Sequence, residues 1–138
     1  MKIKIVHGAP ASGKSTYVKQ NASDNALVFD FDLIMAAISN KPLYENNDNL
    51  ISFVDDMRFD FPKIAKDNDV DELWIISLYL TDKLSELKSE YDCEVIKIIT
   101  LKDECVQRIL DDDSRIDKDY WIDLIKEYFE KMSAFSYE

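Results

Sequence analysis

Eight consecutive residues, Gly8-Ala9-Pro10-Ala11-Ser12-Gly13-Lys14-Ser15, match the pattern G-x-x-x-x-G-K-[ST] without a gap. Each part has a physical task. The glycines let the backbone curl until successive N–H groups point inward at phosphate oxygens. A helix opening at Lys14 adds the positive end of its dipole. The Lys14 ammonium then bridges the β- and γ-phosphates and Ser15 offers its hydroxyl to Mg²⁺. Thr16, one place on, can bond the α-phosphate, while Ala9, Pro10, Ala11 and Ser12 supply the main chain that wraps the anion. The competing reading is a tight turn that happens to hold two glycines, and it explains neither the lysine nor the hydroxyl. The pattern implies a bound nucleotide, with Ser15 placed for Mg²⁺.

Glycine usage supports the same conclusion. The chain has 138 residues and two glycines, Gly8 and Gly13, both inside this loop, where average usage predicts about 10. A chain that avoids glycine elsewhere needs it here for a backbone reason.

Elements of the right kind surround the loop. Lys2–Val6 reads as a strand, Lys14–Gln20 as a helix, and Ala26–Phe29 as a short buried strand. Asp32 is placed to cap a helix through Ile38, ending near Asn40. Leu50, Val54, Met57, Phe61 and Ile64 keep helical spacing, and Pro62 within them predicts a kink or two consecutive helices. Leu73–Ile76 is a third strand, Thr81 caps a helix using Leu84 and Leu87, and Glu94–Ile99 is a fourth strand. A helix over Glu104–Leu110, an Asp111-Asp112-Asp113 turn and a last helix capped by Asp117 complete the chain. The last helix carries an apolar stripe of Trp121, Leu124, Ile125, Tyr128, Phe129 and Met132, read as core. Alternating strands and helices predict an α/β class, with a small parallel sheet of about four strands covered by helices on both faces. No linker or repeat breaks the chain, so 1–138 reads as one domain.

Composition removes several functions. The formal charge of −11 repels nucleic-acid phosphates and anionic membranes at long range, yet leaves room for a local phosphate pocket. No apolar run is long enough to cross a membrane, and Met1–Val6 is too short for a signal-peptide core. Cys93 and Cys105 lack a C-x-x-C spacing and His7 is the one histidine, which argues against zinc and disulfides and for the cytoplasm. His7 itself is either a packing residue or a nucleotide contact.

The run Gly8 to Tyr17, followed by a second strand ending in Asp30-Phe31-Asp32, resembles the small P-loop kinases. It is most similar to the polynucleotide-kinase-like group, which includes short ATP-binding proteins carried by phages. The resemblance implies a P-loop NTPase fold. It also implies that an aspartate after the second strand accepts the proton of the attacking hydroxyl, here Asp32 or else Asp30. The physics agrees, because ligands of a parallel sheet lie at the carboxyl ends of its strands. Asp32 as a helix cap and Asp30 as a turn residue are the alternatives. The family also carries a lid after the fourth strand, matched here by a segment around 103–118 holding Arg108 and Arg115. Arginine forks suit phosphate, and ion pairs with Asp111, Asp112 or Asp113 are the other reading. Arg58 falls where the family places acceptor-binding residues, with Asp55 and Asp56 beside it as possible ion-pair partners.

The third strand ends Ile76-Ser77-Leu78 without an aspartate, and no N-K-x-D run occurs, which disfavours motor ATPases and GTPase switches. The expectation is therefore an ATP- and Mg²⁺-dependent kinase. The acceptor is a hydroxyl or phosphate group, of a nucleoside, a nucleotide or a 5′-hydroxyl nucleic-acid end. The acidic charge favours the small acceptors. The alternative is a non-catalytic or slowly hydrolysing nucleotide-binding accessory protein of a phage or mobile element. Oligomeric state is left open.

Overall fold

The computed structural model describes the backbone of residues 1–136 and the side chains of residues 1–134, so the last two residues of the single unit read over 1–138 lie outside it. Four strands, β1 (Lys2–His7), β2 (Ala26–Phe29), β3 (Glu72–Ser77) and β4 (Cys93–Lys97), form one sheet in the order β2-β3-β1-β4. Every neighbouring pair is parallel. Seven helices connect and cover them among the described residues: α1 (Lys14–Asn21), α2 (Phe31–Ser39), α3 (Ile51–Met57), α4 (Phe61–Asp67), α5 (Asp82–Ser85), α6 (Lys102–Asp111) and α7 (Lys118–Ser136).

Burial of both sheet faces explains why the strands read as apolar runs rather than as alternating ones. On one face Ile3, Ile5, Phe29, Leu73 and Ile75 pack against Met35, Val54, Phe61, Ala65 and Leu84. On the other, Val6, Trp74 and Ile76 meet Val18 of α1. A third cluster joins Ala9 to Cys105, Ile109, Trp121, Ile125 and Tyr128. The stripe of α7 is thus core, and it ties α6 and α7 to the loop after β1.

Register brings the chemistry to one rim. His7 pairs with Ser77 and with Lys97, and Phe29 with Ile75. The segments starting at Gly8 and Asp30 therefore leave the sheet at the same carboxyl edge, with the end of β3 between them.

Several boundaries move for identifiable reasons. Asp32 is not the cap of α2. The helix begins at Phe31, and the Asp30 carboxylate accepts from the backbone N–H of Asp32 at 3.1 Å and of Leu33 at 3.4 Å. β4 ends at Lys97 rather than Ile99 because its partner β1 ends opposite it at His7, leaving Ile99 82% exposed. Around Pro62 the chain forms two helices, with the proline in the first turn of α4, where its missing N–H costs nothing. The break shifts the phase, so Ile64 turns outward. Thr81 caps α5 through the Leu84 N–H, but the helix is short and continues as a 3-10 segment over Glu86–Ser89. Asp117 caps α7, its carboxylate accepting from the Tyr120 N–H at 3.2 Å.

Candidate functional site

The loop after β1 is shaped by its two glycines in different ways. Gly13 has φ 102°, a left-handed conformation that glycine adopts freely. Gly8 has no room for a side chain, since a Cβ there would lie 2.7 Å from the Ile98 carbonyl oxygen. Thr100 Oγ1 donates to the Ser12 carbonyl at 2.8 Å and pins the loop from the β4 side. The backbone N–H groups of Gly13, Lys14, Ser15 and Thr16 meet no carbonyl among the described residues. They are the orphan donors of a helix start, a geometry suited to anions.

Lys14 folds over the loop, donating to the carbonyls of Gly8 at 2.6 Å and Ala9 at 2.8 Å. Burial lowers its ammonium to a pKa of about 8, against the favourable pull of Asp32. Ser15 Oγ donates to Asp30 Oδ2 at 2.9 Å. Asp30 is buried at 8% exposure and serves two masters, the Ser15 hydroxyl and the start of α2.

Asp32 sits one step further, and its carboxylate makes no side-chain hydrogen bond within the described residues. Burial first, then the neighbouring Asp30, raise its pKa from 3.8 to about 6, while Arg115 and Lys14 pull the other way. It is a carboxylate whose pKa lies near physiological pH, a range suited to proton exchange.

The three arginines take distinct posts. Arg108 donates to the Ala11 carbonyl at 3.0 Å and to Glu104 at 2.8 Å, so its partner is not the aspartate triplet. Arg115 does pair with that triplet, its Nε meeting Asp112 at 3.3 Å, yet its Nη1 is buried without a partner. A buried charged donor lacking an acceptor is costly, and an incoming anion relieves it. Arg58 pairs weakly with Asp55 at 3.5 Å and stacks 4.7 Å from the Phe29 ring centroid. Its side chain is only 14% exposed, so a surface ion pair does not describe it.

One cavity of about 870 Å³ gathers most of these groups. Pro10 through Thr16, Asp30, Asp32, Arg58, Arg108 and Arg115 all line it, and Gly8 and Ala9 lie behind the loop. Its volume falls in the upper part of the range of about 300–1,000 Å³ usual for ligand sites. His7 does not line it; burial and the cations Lys97 and Lys14 lower its pKa. Sequence reasoning missed the aromatic wall made by Tyr44, Tyr79, Tyr120 and Trp121. Only Trp121 had a signal, and the stripe it belongs to pointed to the core.

Ser15 and Asp30 fit Mg²⁺ chemically. A hydroxyl and a carboxylate are hard oxygen donors, and Mg²⁺ commonly takes one or two protein oxygens and leaves the rest to phosphate and water. Among the described residues no three His, Cys, Asp or Glu side chains gather into a metal cage, and none is required for that mode.

Among the described residues no helix is long and apolar enough to cross a membrane. No protein-family model matches the chain, and no curated protein matches it. Among solved structures it is similar to a chain described as "Structure of Pnkp1/Rnl/Hen1 complex", with a TM-score of 0.57 and 20% sequence identity. The match covers 78% of this chain and 38% of that one, so the chain spans well under half of its neighbour's length. At that identity what the two share is the fold over the matched region, which in this chain is a four-stranded parallel sheet flanked by helices.

Proposed function

We propose that the chain is a P-loop kinase that binds ATP with Mg²⁺ and moves the γ-phosphate to a hydroxyl or phosphate acceptor. The observation that carries this reading is the junction of Ser15 with Asp30 at 2.9 Å, with Asp32 and Arg115 in the same cavity. A simple phosphate-binding turn has no use for a second, unbonded carboxylate of raised pKa beside it. The fold shared with a chain of the Pnkp1/Rnl/Hen1 complex accords with a kinase.

In this reading the loop N–H groups and Lys14 hold the nucleotide's phosphates and stabilise the charge that develops during transfer. Lys14 leaves the Gly8 and Ala9 carbonyls to do so. Ser15, with Asp30 beside it, would hold Mg²⁺, whose charge would offset that of the phosphates. Asp32 accepts the acceptor's proton, and Arg108 and Arg115 close the segment 103–118 over the phosphates. Thr16 binds the α-phosphate and Arg58 faces the acceptor. The acceptor classes are a nucleoside, a nucleotide and a 5′-hydroxyl nucleic-acid end.

Incubation with γ-labelled ATP and a panel of these acceptors tests the proposal. Label on one acceptor supports it. Binding without transfer leaves a nucleotide-binding accessory protein, and release of phosphate at one rate with every acceptor leaves a hydrolase.

Nucleotide binding should also take up protons near pH 8. Free Lys14 is about half protonated there, and phosphate contact restores its charge, so uptake of about 0.5 proton per nucleotide is expected. Affinity then weakens as pH rises through about 8. Calorimetry at pH 8 in two buffers of different ionisation heat measures it, and a heat independent of buffer contradicts it.

A further inference from the structure

Arg115 is held more firmly than phosphate binding alone demands. Its guanidinium sits in the corner of two roughly perpendicular aromatic rings, 3.8 Å from the centroid of Tyr44 and 4.3 Å from that of Trp121. The residue is 8% exposed and Asp112 takes its Nε. Trp121 is its neighbour across the start of α7, so that contact is local. Tyr44 comes from the connection between α2 and α3, far away in the chain. Its φ is 68°, a left-handed backbone that a bulky residue keeps only when its surroundings impose it. The Tyr44 ring meets Trp121 edge-on at 5.5 Å and 78°, so the two rings form a corner that holds the guanidinium.

A guanidinium seated against two rings keeps its charge and its fork while losing rotamer freedom. The entropy of placing it is then lost on folding, before any phosphate arrives. We propose that Tyr44 is a positioning residue whose ring fixes the Arg115 guanidinium for the phosphoryl group under transfer, tying the connection between α2 and α3 to the turn before α7. The inference rests on the phosphotransferase reading. Tyr44 touches no reacting atom in this scheme. The ring face does the work, so phenylalanine replaces it and leucine, which fills similar space without a π-face, does not.

Tyr44→Leu and Tyr44→Phe are compared with Arg115→Ala and with the double variant, using γ-labelled ATP and a pool of nucleosides, nucleotides and 5′-hydroxyl oligonucleotides. Tyr44→Leu should lower kcat about 10-fold or more with KM for ATP within about threefold, and Tyr44→Phe should stay within about threefold of wild type. On the Arg115→Ala background, Tyr44→Leu should cost less than about twofold. A loss of equal size on both backgrounds, or full kcat in Tyr44→Leu, overturns the proposal. The Arg115 Nε–H resonance in ¹⁵N NMR gives a readout without turnover. It should be shifted upfield by the rings in wild type and Tyr44→Phe and move downfield in Tyr44→Leu. An unchanged resonance also overturns the proposal. Transfer absent from the wild-type chain sinks the phosphotransferase reading itself. Transfer lost in Arg115→Ala but intact in Tyr44→Leu sinks only the clamp.

Discussion

Asp32→Asn is expected to make the chain more stable and to lower phosphoryl transfer by about 10²–10⁴-fold, the usual contribution of a general base. The two effects share a cause. Burial and Asp30 raise the Asp32 pKa from 3.8 to about 6, so near pH 7 the folded chain holds a charge that its surroundings disfavour. A group whose folded pKa lies above its unfolded value contributes stability that is fully present below the unfolded value and is lost as pH rises through the folded one. The loss for Asp32 therefore develops between about pH 4 and pH 6. Asparagine cannot ionise and avoids it. At about 1.4 kcal/mol per pH unit, and with the attraction to Lys14 and Arg115 already contained in that net rise, the gain at pH 7 is on the order of 3 kcal/mol at most. Thermal melts at pH 4 and pH 7 check the sign: the variant should match wild type at pH 4 and melt higher at pH 7. A variant less stable at pH 7 would mean that Asp32 is structural. The cap of α2 confuses neither measurement, because Asp30 provides it.

Lys14→Ala should abolish measurable transfer, by about 10³-fold or more, and weaken ATP binding at least about 10-fold. In the resting chain Lys14 touches only the Gly8 and Ala9 carbonyls, and its ammonium is strained by burial. Its removal should leave the melting temperature nearly unchanged while the chemistry disappears. Lys14→Arg should fail as well, since a planar fork cannot take the place of a compact ammonium on a short reach. Binding of ATP by the alanine variant at wild-type affinity, measured by calorimetry, would refute the phosphate-binding role of the loop.

The loop and its flanking elements were legible because their signals are local. Gly8 to Ser15 is a contiguous pattern, and β2 occupies Ala26–Phe29, the run its apolar residues mark. Strand order was not legible, because β3 inserts between β1 and β2 through contacts no local pattern encodes. The roles of the two aspartates turned on a single residue. Phe31 entered the helix, so Asp30 became the cap and Asp32 was left with an unbonded carboxylate. Propensity cannot resolve a helix start to one position. The setting of Arg115 was hidden for another reason: Tyr44 and Trp121 converge on it from separate elements, and nothing near Tyr44 in sequence marks it.

The two glycines of the loop confront evolutionary drift with unlike barriers. At Gly8 the obstacle is a neighbour's backbone, since any side chain begins 2.7 Å from the Ile98 oxygen. No choice among the other nineteen residues escapes it, and only a displaced β4 end would admit one. At Gly13 the nearest atom to an added Cβ is the flexible tip of Arg108 at 3.7 Å, and the obstacle is the backbone angle alone. That barrier is graded, lowest for asparagine and aspartate, which tolerate left-handed geometry. A lineage descending from this sequence could therefore wander at the second glycine long before the first.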